Sequence, residues 1–151
     1  MPRCQAAIMR GNHILLIQHR EHAGGRAYWL LPGGGMEAGE TEIECVRREM
    51  REETNLEVGV ERQILEEELI EADGVTRKIY KTFLCSPLNG NAVPGYEPES
   101  WVSAQYEIAA VGWFDLYDES TWNPLILNDR ITAPLLRRIR AKLQGDLKIV
   151  T

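Results

Sequence analysis

Residues 34–56, which read GGMEAGETEIECVRREMREETNL, constrain the fold of this chain more than any other stretch. Three consecutive glycines at positions 33–35 permit close approach of main-chain groups to a ligand or an ion. Thr41 and Glu44 have the spacing of a capping box, in which each side chain accepts a hydrogen bond from a free amide at the helix start. The pattern therefore predicts a glycine-rich loop that leads into a helix over residues 41–54.

The predicted helix carries an acidic face. Glu49, Glu52 and Glu53 stand in an i, i+3, i+4 relation, so their side chains lie on one side of the helix. The neighbouring stripe is apolar and consists of Ile43, Val46 and Met50. Adjacent like charges destabilise an isolated helix by a few tenths of a kcal/mol per pair, so a cation among them would be favourable.

Carboxylate oxygens in this number suit Mg2+ or Mn2+, and Mg2+ usually keeps coordination positions for water and for phosphate oxygens of a substrate. The substrate expected from the residues is a phosphate ester or anhydride. The alternative is an ordinary solvated face, and the spacing of the acids does not separate the two. The glycine loop and the capping box favour the metal site.

The stretch resembles the signature of the Nudix hydrolase family: Gly, five residues, Glu, seven residues, Arg-Glu-aliphatic-any-Glu-Glu-any-Gly-aliphatic. The matching positions are Gly34, Glu40, Arg48, Glu49, Met50, Glu52, Glu53 and Leu56. Asn55 is the one departure, since the family usually has glycine there. This position ends the helix and needs a positive φ, which Asn tolerates better than most residues. We therefore expect the fold to survive the change.

The resemblance implies a single α/β domain over residues 1–151, an α/β/α sandwich with a mixed β-sheet. It also implies hydrolysis of a nucleoside diphosphate linked to another group, by attack of water on phosphorus with Mg2+ or Mn2+ as cofactor. By carry-over, Glu49 and Glu53 are metal ligands, and Glu52 is a ligand or the general base. The Gly33 carbonyl is a further candidate ligand, and Arg48 orients a signature glutamate.

Further assignments, inside and outside the signature, follow from the same resemblance. Gly34 is assigned to substrate binding, and Glu40 supports the loop and the helix. A further acidic metal ligand is expected ahead of the last strand, and Glu107 is chosen over its rivals Glu97 and Glu99. Arg20 and Arg26 are candidates for phosphate contact, with solvated loop arginines as the alternative.

Aromatic side chains that could stack on a nucleobase are Tyr28, Trp29, Tyr96, Trp101 and Tyr106. Core packing is the alternative for each of them.

Hydrophobic patterning and turn residues predict the remaining elements. Strands are expected over 4–9, 13–19, 28–31 and 111–114, and hairpin arms over 63–71 and 75–85 that turn at Asp73-Gly74. Polar or Pro- and Gly-rich loops are expected over 20–26 and 86–100. A final helix over 132–144 should cover the sheet, with Gly145 as its stop signal.

Composition excludes several classes of function. A net charge of −6 without an extended basic patch argues against binding of extended nucleic acid, so the expected partner is a small nucleotide. The three scattered cysteines indicate a reducing compartment, and no apolar run approaches the length of a membrane span. We expect a cytoplasmic protein without membrane contact. A homodimer is plausible from the resemblance alone.

Other classes share this fold. A non-catalytic nucleotide-binding sensor would often lack signature acids, and all of them are present here. An isoprenoid diphosphate isomerase would need a supporting cysteine and glutamate pair that is not evident. An mRNA-decapping enzyme would favour a basic RNA-binding surface, which this composition does not show.

Overall fold

The computed structural model describes residues 1–71, 73–96, 103 and 105–150, with the side chains of residues 149 and 150 excepted. The strands are β1 (Arg3–Arg10), β2 (His13–Glu21), β3 (Ala27–Leu30), β4 (Gly33–Gly35), β5 (Glu57–Ile70), β6 (Arg77–Asn89) and β7 (Tyr106–Asp115). The helices are α1 (Glu42–Thr54), α2 (Pro124–Leu127) and α3 (Thr132–Val150), with a 3-10 turn at Glu119–Thr121.

The strands form one mixed sheet in which β3, β2, β1, β6 and β5 follow one another, while β4 pairs with β1 and β7 pairs with β2. The β1–β6 pair is parallel, and the other described pairs are antiparallel. The strands β1 and β2 are joined by a tight turn at residues 11 and 12, where Gly11 has a φ of 58°. The strand β2 is buried on both faces from Ile14 to Ile17, as its apolar run predicts.

Helices cover both faces of the sheet, which confirms the sandwich. On one face α1 packs Val46 and Met50 against strand residues that include Leu15. On the opposite face α3 packs Leu136 and Ile139 against residues that include Leu16. Side chains of a strand alternate between faces, so neighbouring residues of β2 serve different cores. None of the described helices is long and apolar enough to cross a bilayer.

Several predicted bounds are wrong. The loop expected over 86–100 begins later, because β6 continues through Pro87 to Asn89. Pro87 is tolerated because β6 pairs with β1 only as far as Cys85 and has an open edge beyond it. The loop expected over 20–26 also begins later, since β2 includes Arg20 and ends at Glu21. The strand expected over 111–114 begins at Tyr106 instead.

One predicted helix end is also wrong. The apolar stripe of α1 is buried at Val46 and Met50, while Ile43 is 45% exposed. The stop signal predicted at Gly145 does not end the last helix, because α3 continues through it to Val150. A lone glycine lowers helix stability without forcing an end, and hydrogen bonds on both sides carry the helix across it.

Replacing Gly145 by alanine should therefore stabilise the protein. A Cβ added at Gly145 meets no atom within 4 Å, so it causes no clash in the folded state. Its main effect is to reduce the conformational entropy of the unfolded chain, which glycine raises. We expect the free energy of unfolding to rise by about 0.5–1 kcal/mol, measured by urea denaturation. A fall in stability would contradict the helical conformation of this residue.

Candidate active site

The capping box at the start of α1 and the residue that ends the helix adopt the conformations that the sequence predicts. At its start the Thr41 hydroxyl accepts from the Glu44 amide at 3.1 Å, and the Glu44 carboxylate accepts from the Thr41 amide at 3.0 Å. At its end Asn55 adopts the left-handed conformation with φ 63°, which confirms the conformation expected there. The helix therefore presents its acidic face at a defined angle to the loop before it.

Arg48 joins that acidic face to the glycine loop. Its Nε and Nη2 donate to the two Glu40 carboxylate oxygens at 2.7 and 3.1 Å. Its Nη1 donates to Glu49 Oε1 and to Glu52 Oε2, both at 3.1 Å. Its Nη2 also donates to the Gly35 carbonyl at 3.0 Å. One planar guanidinium thus holds three carboxylates and the loop backbone in a single network.

Negative charge exceeds positive charge around this guanidinium. Glu37 lies 3.6 Å from Arg48 Nη1, so four carboxylates face one cation. The hydrogen bond from Arg48 is the main reason that the pKa of Glu40 lies below its ordinary value. The same hydrogen bond, with the charges of Glu49 and Glu52, raises the pKa of Arg48.

Glu53 and Glu49 reach back to the glycine loop. Glu53 is 1% exposed, and its Oε1 accepts from the Gly33 amide at 2.7 Å. A Cβ at Gly34 would lie 2.3 Å from Glu49 Oε1, and one at Gly33 would lie 2.4 Å from the Cys4 carbonyl oxygen. Glycine is needed at Gly33 because the backbone of β1 leaves no room, whereas a side chain at Gly34 would have to displace the Glu49 carboxylate.

The donor set fits a hard divalent cation. Among the described residues no three acidic, histidine or cysteine side chains converge closely enough to hold a metal together. Glu49 and Glu52 are instead joined through Arg48 Nη1, and Glu53 is held by the Gly33 amide. These are oxygen donors with excess negative charge, the combination that Mg2+ and Mn2+ prefer.

Sheet register separates Glu107 from this acidic face. Glu107 lies opposite Arg20 across the β2–β7 pair, and its carboxylate is 3.6 Å from Arg20 Nη1. Leu15 packs toward α1, and alternation along β2 places His19 on that same face and Arg20 on the other. Arg20 and Glu107 therefore lie on the sheet face opposite His19, where their side chains are about half exposed. Their roles as phosphate and metal ligands remain predictions, and the rivals Glu97 and Glu99 lie outside the described residues.

Arg26 is an exposed residue beside the β2–β3 turn. Its Nη1 donates to Glu21 at 3.2 Å, and its guanidinium lies 5.1 Å from the centre of the Tyr28 ring.

Trp29 lies in the core, is 7% exposed and packs edge-on against Phe114, with ring centroids 5.1 Å apart. It therefore does not line an open pocket. Trp101, another aromatic candidate, lies outside the described residues.

An aromatic cluster around His19 is a feature that sequence reasoning missed. The His19 ring stacks on Tyr106 with centroids 4.2 Å apart and meets Tyr28 edge-on at 5.6 Å. His19 is 5% exposed, and among the described residues its Nε2 has no hydrogen-bond partner. Its alternation with Leu15 and Ile17 was the available signal, since it predicts the same buried face.

Burial makes His19 a source of acid sensitivity. Desolvation lowers the pKa of His19 to about 4, whereas an unfolded chain titrates near 6.5. The unfolded state therefore takes up the proton first, and stability falls as pH drops from about 6.5 toward 4. We measure the free energy of unfolding in urea at pH 7 and at pH 4. Between these pH values we expect it to fall by about 3 kcal/mol less in His19→Phe than in wild type. An unchanged difference between the two pH values would show that His19 is not the responsible group.

The fold and the signature geometry define the class of this protein. The family model described as the NUDIX domain matches residues 2–132, and the chain belongs to the NUDIX family of hydrolases.

Two solved structures are similar to this chain over most of their own length. The MutT NUDIX hydrolase from Burkholderia pseudomallei is 29% identical, with a TM-score of 0.64 and coverage of 91% of this chain and 95% of that one. An ADP-ribose pyrophosphatase from Streptococcus suis 89-1591 is 28% identical, with a TM-score of 0.60 and coverage of 92% and 89%.

A curated relative is similar over a shorter stretch. The NAD-capped RNA hydrolase NudC of Vibrio vulnificus (strain CMCP6) is 44% identical over 52 residues, 34% of this chain. The match spans about a fifth of that relative's length (19%).

Proposed function

We propose that this protein is a divalent-metal-dependent hydrolase that cleaves the pyrophosphate linkage of a nucleoside diphosphate joined to another group. The observation that carries the proposal is the set of Glu49, Glu52 and Glu53 on one face of α1, tied by Arg48 and the Gly33 amide to a glycine loop. Nucleoside triphosphates, nucleotide sugars and dinucleotides all contain the required linkage. The names of the ADP-ribose pyrophosphatase and the NAD-capped RNA hydrolase agree with this substrate class.

Each residue in the set has a distinct proposed task. Glu49 and Glu53 bind Mg2+ or Mn2+, with the Gly33 carbonyl as a further ligand. The bound ion supplies charge neutralisation at the phosphate oxygens and a water of lowered pKa. Glu52 takes the proton from the attacking water or completes the metal site. Arg48 positions Glu49 and Glu52 through its two hydrogen bonds.

Gly34 is proposed to let a substrate phosphate approach the loop backbone. Glycine at this position has no Cβ, and a side chain would already collide with Glu49. Tyr28 and Tyr106, on the sheet face that carries α1, are the proposed stacking surfaces for a nucleobase. Their rings are large and flat, so they would accept several bases with modest discrimination.

A panel assay tests the proposed reaction. The protein is incubated with Mg2+ and with ADP-ribose, NADH, a UDP-sugar, a diadenosine polyphosphate and each nucleoside triphosphate. We expect release of a nucleoside monophosphate, and in water enriched in oxygen-18 we expect label in a phosphate product. Removal of metal by EDTA should abolish release, and added Mg2+ should restore it.

The panel also separates the enzyme from the non-catalytic sensor. Calorimetric binding of one of these compounds without any product release would favour the sensor and contradict the proposed hydrolysis. Release that persists unchanged in EDTA would contradict the metal dependence. The presence of every signature acid favours the enzyme.

A further inference from the structure

The last turn of α1 is held by a segment that lies far away in sequence. A helix leaves its final four carbonyl groups without partners inside the helix. The Arg51 carbonyl is capped locally by the Asn55 amide at 3.2 Å. The other three carbonyls, from Glu52, Glu53 and Thr54, accept hydrogen bonds from residues 91–96, which we name the capping segment.

These contacts are direct and specific. The Tyr96 amide donates to the Glu52 carbonyl at 3.0 Å, and the Gly95 amide donates to the Glu53 carbonyl at 2.9 Å. The Val93 amide donates to the Thr54 carbonyl at 3.1 Å. The capping segment thus supplies three donors in order along the end of the helix.

Gly95 sits against the helix end with no space for a side chain. A Cβ at Gly95 would lie 1.8 Å from the Glu52 carbonyl oxygen and 2.8 Å from the carbonyl carbon of Glu53. Those neighbours are backbone atoms, so the clash cannot be relieved by turning a side chain. Any larger residue at position 95 must lift the capping segment away from the helix or displace the last turn.

Asn55 provides a second attachment. Its Nδ2 donates to the Asn91 carbonyl at 3.2 Å, so the residue that ends α1 also binds the start of the capping segment. A glycine at this position would keep the left-handed conformation but lose that hydrogen bond. Asn55, where the family usually has glycine, therefore adds a hydrogen bond between the end of α1 and the capping segment.

We propose that Gly95 is a positioning residue, through which the capping segment fixes the last turn of α1 and so holds the Glu52 and Glu53 carboxylates in place for the metal-dependent reaction. The inference rests on the proposed function, because it assigns those two carboxylates to catalysis. Side chains on a terminal turn that is free to fray lose their fixed relation to Glu49, one turn earlier. Misplacement by about 1 Å is enough to lower a rate by roughly 100-fold.

The test compares Gly95→Ala with Gly145→Ala as a matched control, since both add one methyl group and only the first meets the helix end. For Gly95→Ala, at a temperature where it is fully folded, we expect kcat to fall roughly 10- to 100-fold with KM changed less than about three-fold. The dissociation constant for Mn2+, measured by electron paramagnetic resonance without substrate, should rise roughly ten-fold. Gly145→Ala should match wild type in all three.

Amide hydrogen exchange reports the contact itself. In wild type the Gly95 and Tyr96 amides should be protected, and in Gly95→Ala their exchange should accelerate. If Gly95→Ala does not fold, Asn55→Gly is measured in the same way, with an expected two- to ten-fold weakening of Mn2+ binding.

Three outcomes overturn the proposal. The first is a folded variant whose amides exchange faster while its kcat and Mn2+ affinity equal those of wild type. The second is rapid exchange of both amides in wild type. The third is wild-type protein that neither binds Mn2+ nor hydrolyses any substrate of the panel, and this outcome overturns the proposed function as well. The first two outcomes refute the positioning role alone and leave the proposed function standing.

Discussion

Replacing Glu53 by glutamine is expected to lower turnover by roughly 10²- to 10⁴-fold while the fold is kept. Glu53 is almost fully buried, and its Oε1 accepts from the Gly33 amide at 2.7 Å. A glutamine side chain has the same shape and retains an oxygen that can accept this hydrogen bond. It lacks the negative charge, which is the property that a metal ligand at this place must supply.

The control for this variant is Glu57→Gln, which makes the same chemical change just beyond the end of α1. Glu57 is half exposed and pairs with Arg51 at 3.4 Å, so its loss should leave turnover within about two-fold of wild type and stability within about 0.5 kcal/mol. Steady-state kinetics at saturating Mg2+ and circular dichroism provide the two measurements. Wild-type turnover in Glu53→Gln would refute the assignment of Glu53.

The second large effect is expected for Arg48→Ala, which should reduce the free energy of unfolding by about 2–4 kcal/mol at pH 7. The Arg48 side chain is 16% exposed, and four carboxylates face it. Its removal leaves those charges to repel one another and leaves the Gly35 carbonyl without this donor. Arg48→Lys should recover only part of the loss, because an ammonium group cannot reproduce the planar fork of contacts.

The pH dependence identifies the cause of that loss. Arg48 holds the pKa of Glu40 below its ordinary value, so the stabilisation is present above the unfolded-state pKa near 4.3 and is lost as pH falls below it. The gap between wild type and Arg48→Ala should therefore narrow below about pH 4. Arg47→Ala, the exposed neighbour, serves as the control and should change stability by less than about 0.5 kcal/mol. A loss of about 2–4 kcal/mol in the free energy of unfolding for Arg47→Ala, or no loss for Arg48→Ala, would contradict a stabilising role for the Arg48 contacts.

Features of the molecule that depend on a few adjacent residues follow from the sequence. The capping box of Thr41 and Glu44, the left-handed Asn55 and the turn at Asp73-Gly74 are all confirmed. Each is set by contacts within four residues, so the local pattern contains the needed information. The Nudix resemblance extends that information to the order of strands and helices.

Features that depend on strand register do not follow from the sequence. The pairing of Glu107 with Arg20 is fixed by the β2–β7 register, and a shift of one residue would turn both side chains to the other face. The capping segment meets the end of α1 across about forty residues of chain, and no pattern in residues 91–96 indicates that contact. The alternation of His19 with Leu15 and Ile17 predicts a buried side chain, but its ring contacts with Tyr28 and Tyr106 depend on the register of β2 with β3 and β7.

In the proposed reaction the acidic face of α1 binds a divalent cation against a pyrophosphate. The most direct test of this binding is a crystal of the protein with Mn2+ and a non-cleavable nucleotide analogue, measured at the manganese absorption edge. We predict an anomalous peak within about 2.5 Å of carboxylate oxygens of Glu49 and Glu53, with a phosphate oxygen of the analogue on the same ion. A bound analogue with no peak there, and with both carboxylates still on Arg48 and the Gly33 amide, would contradict it.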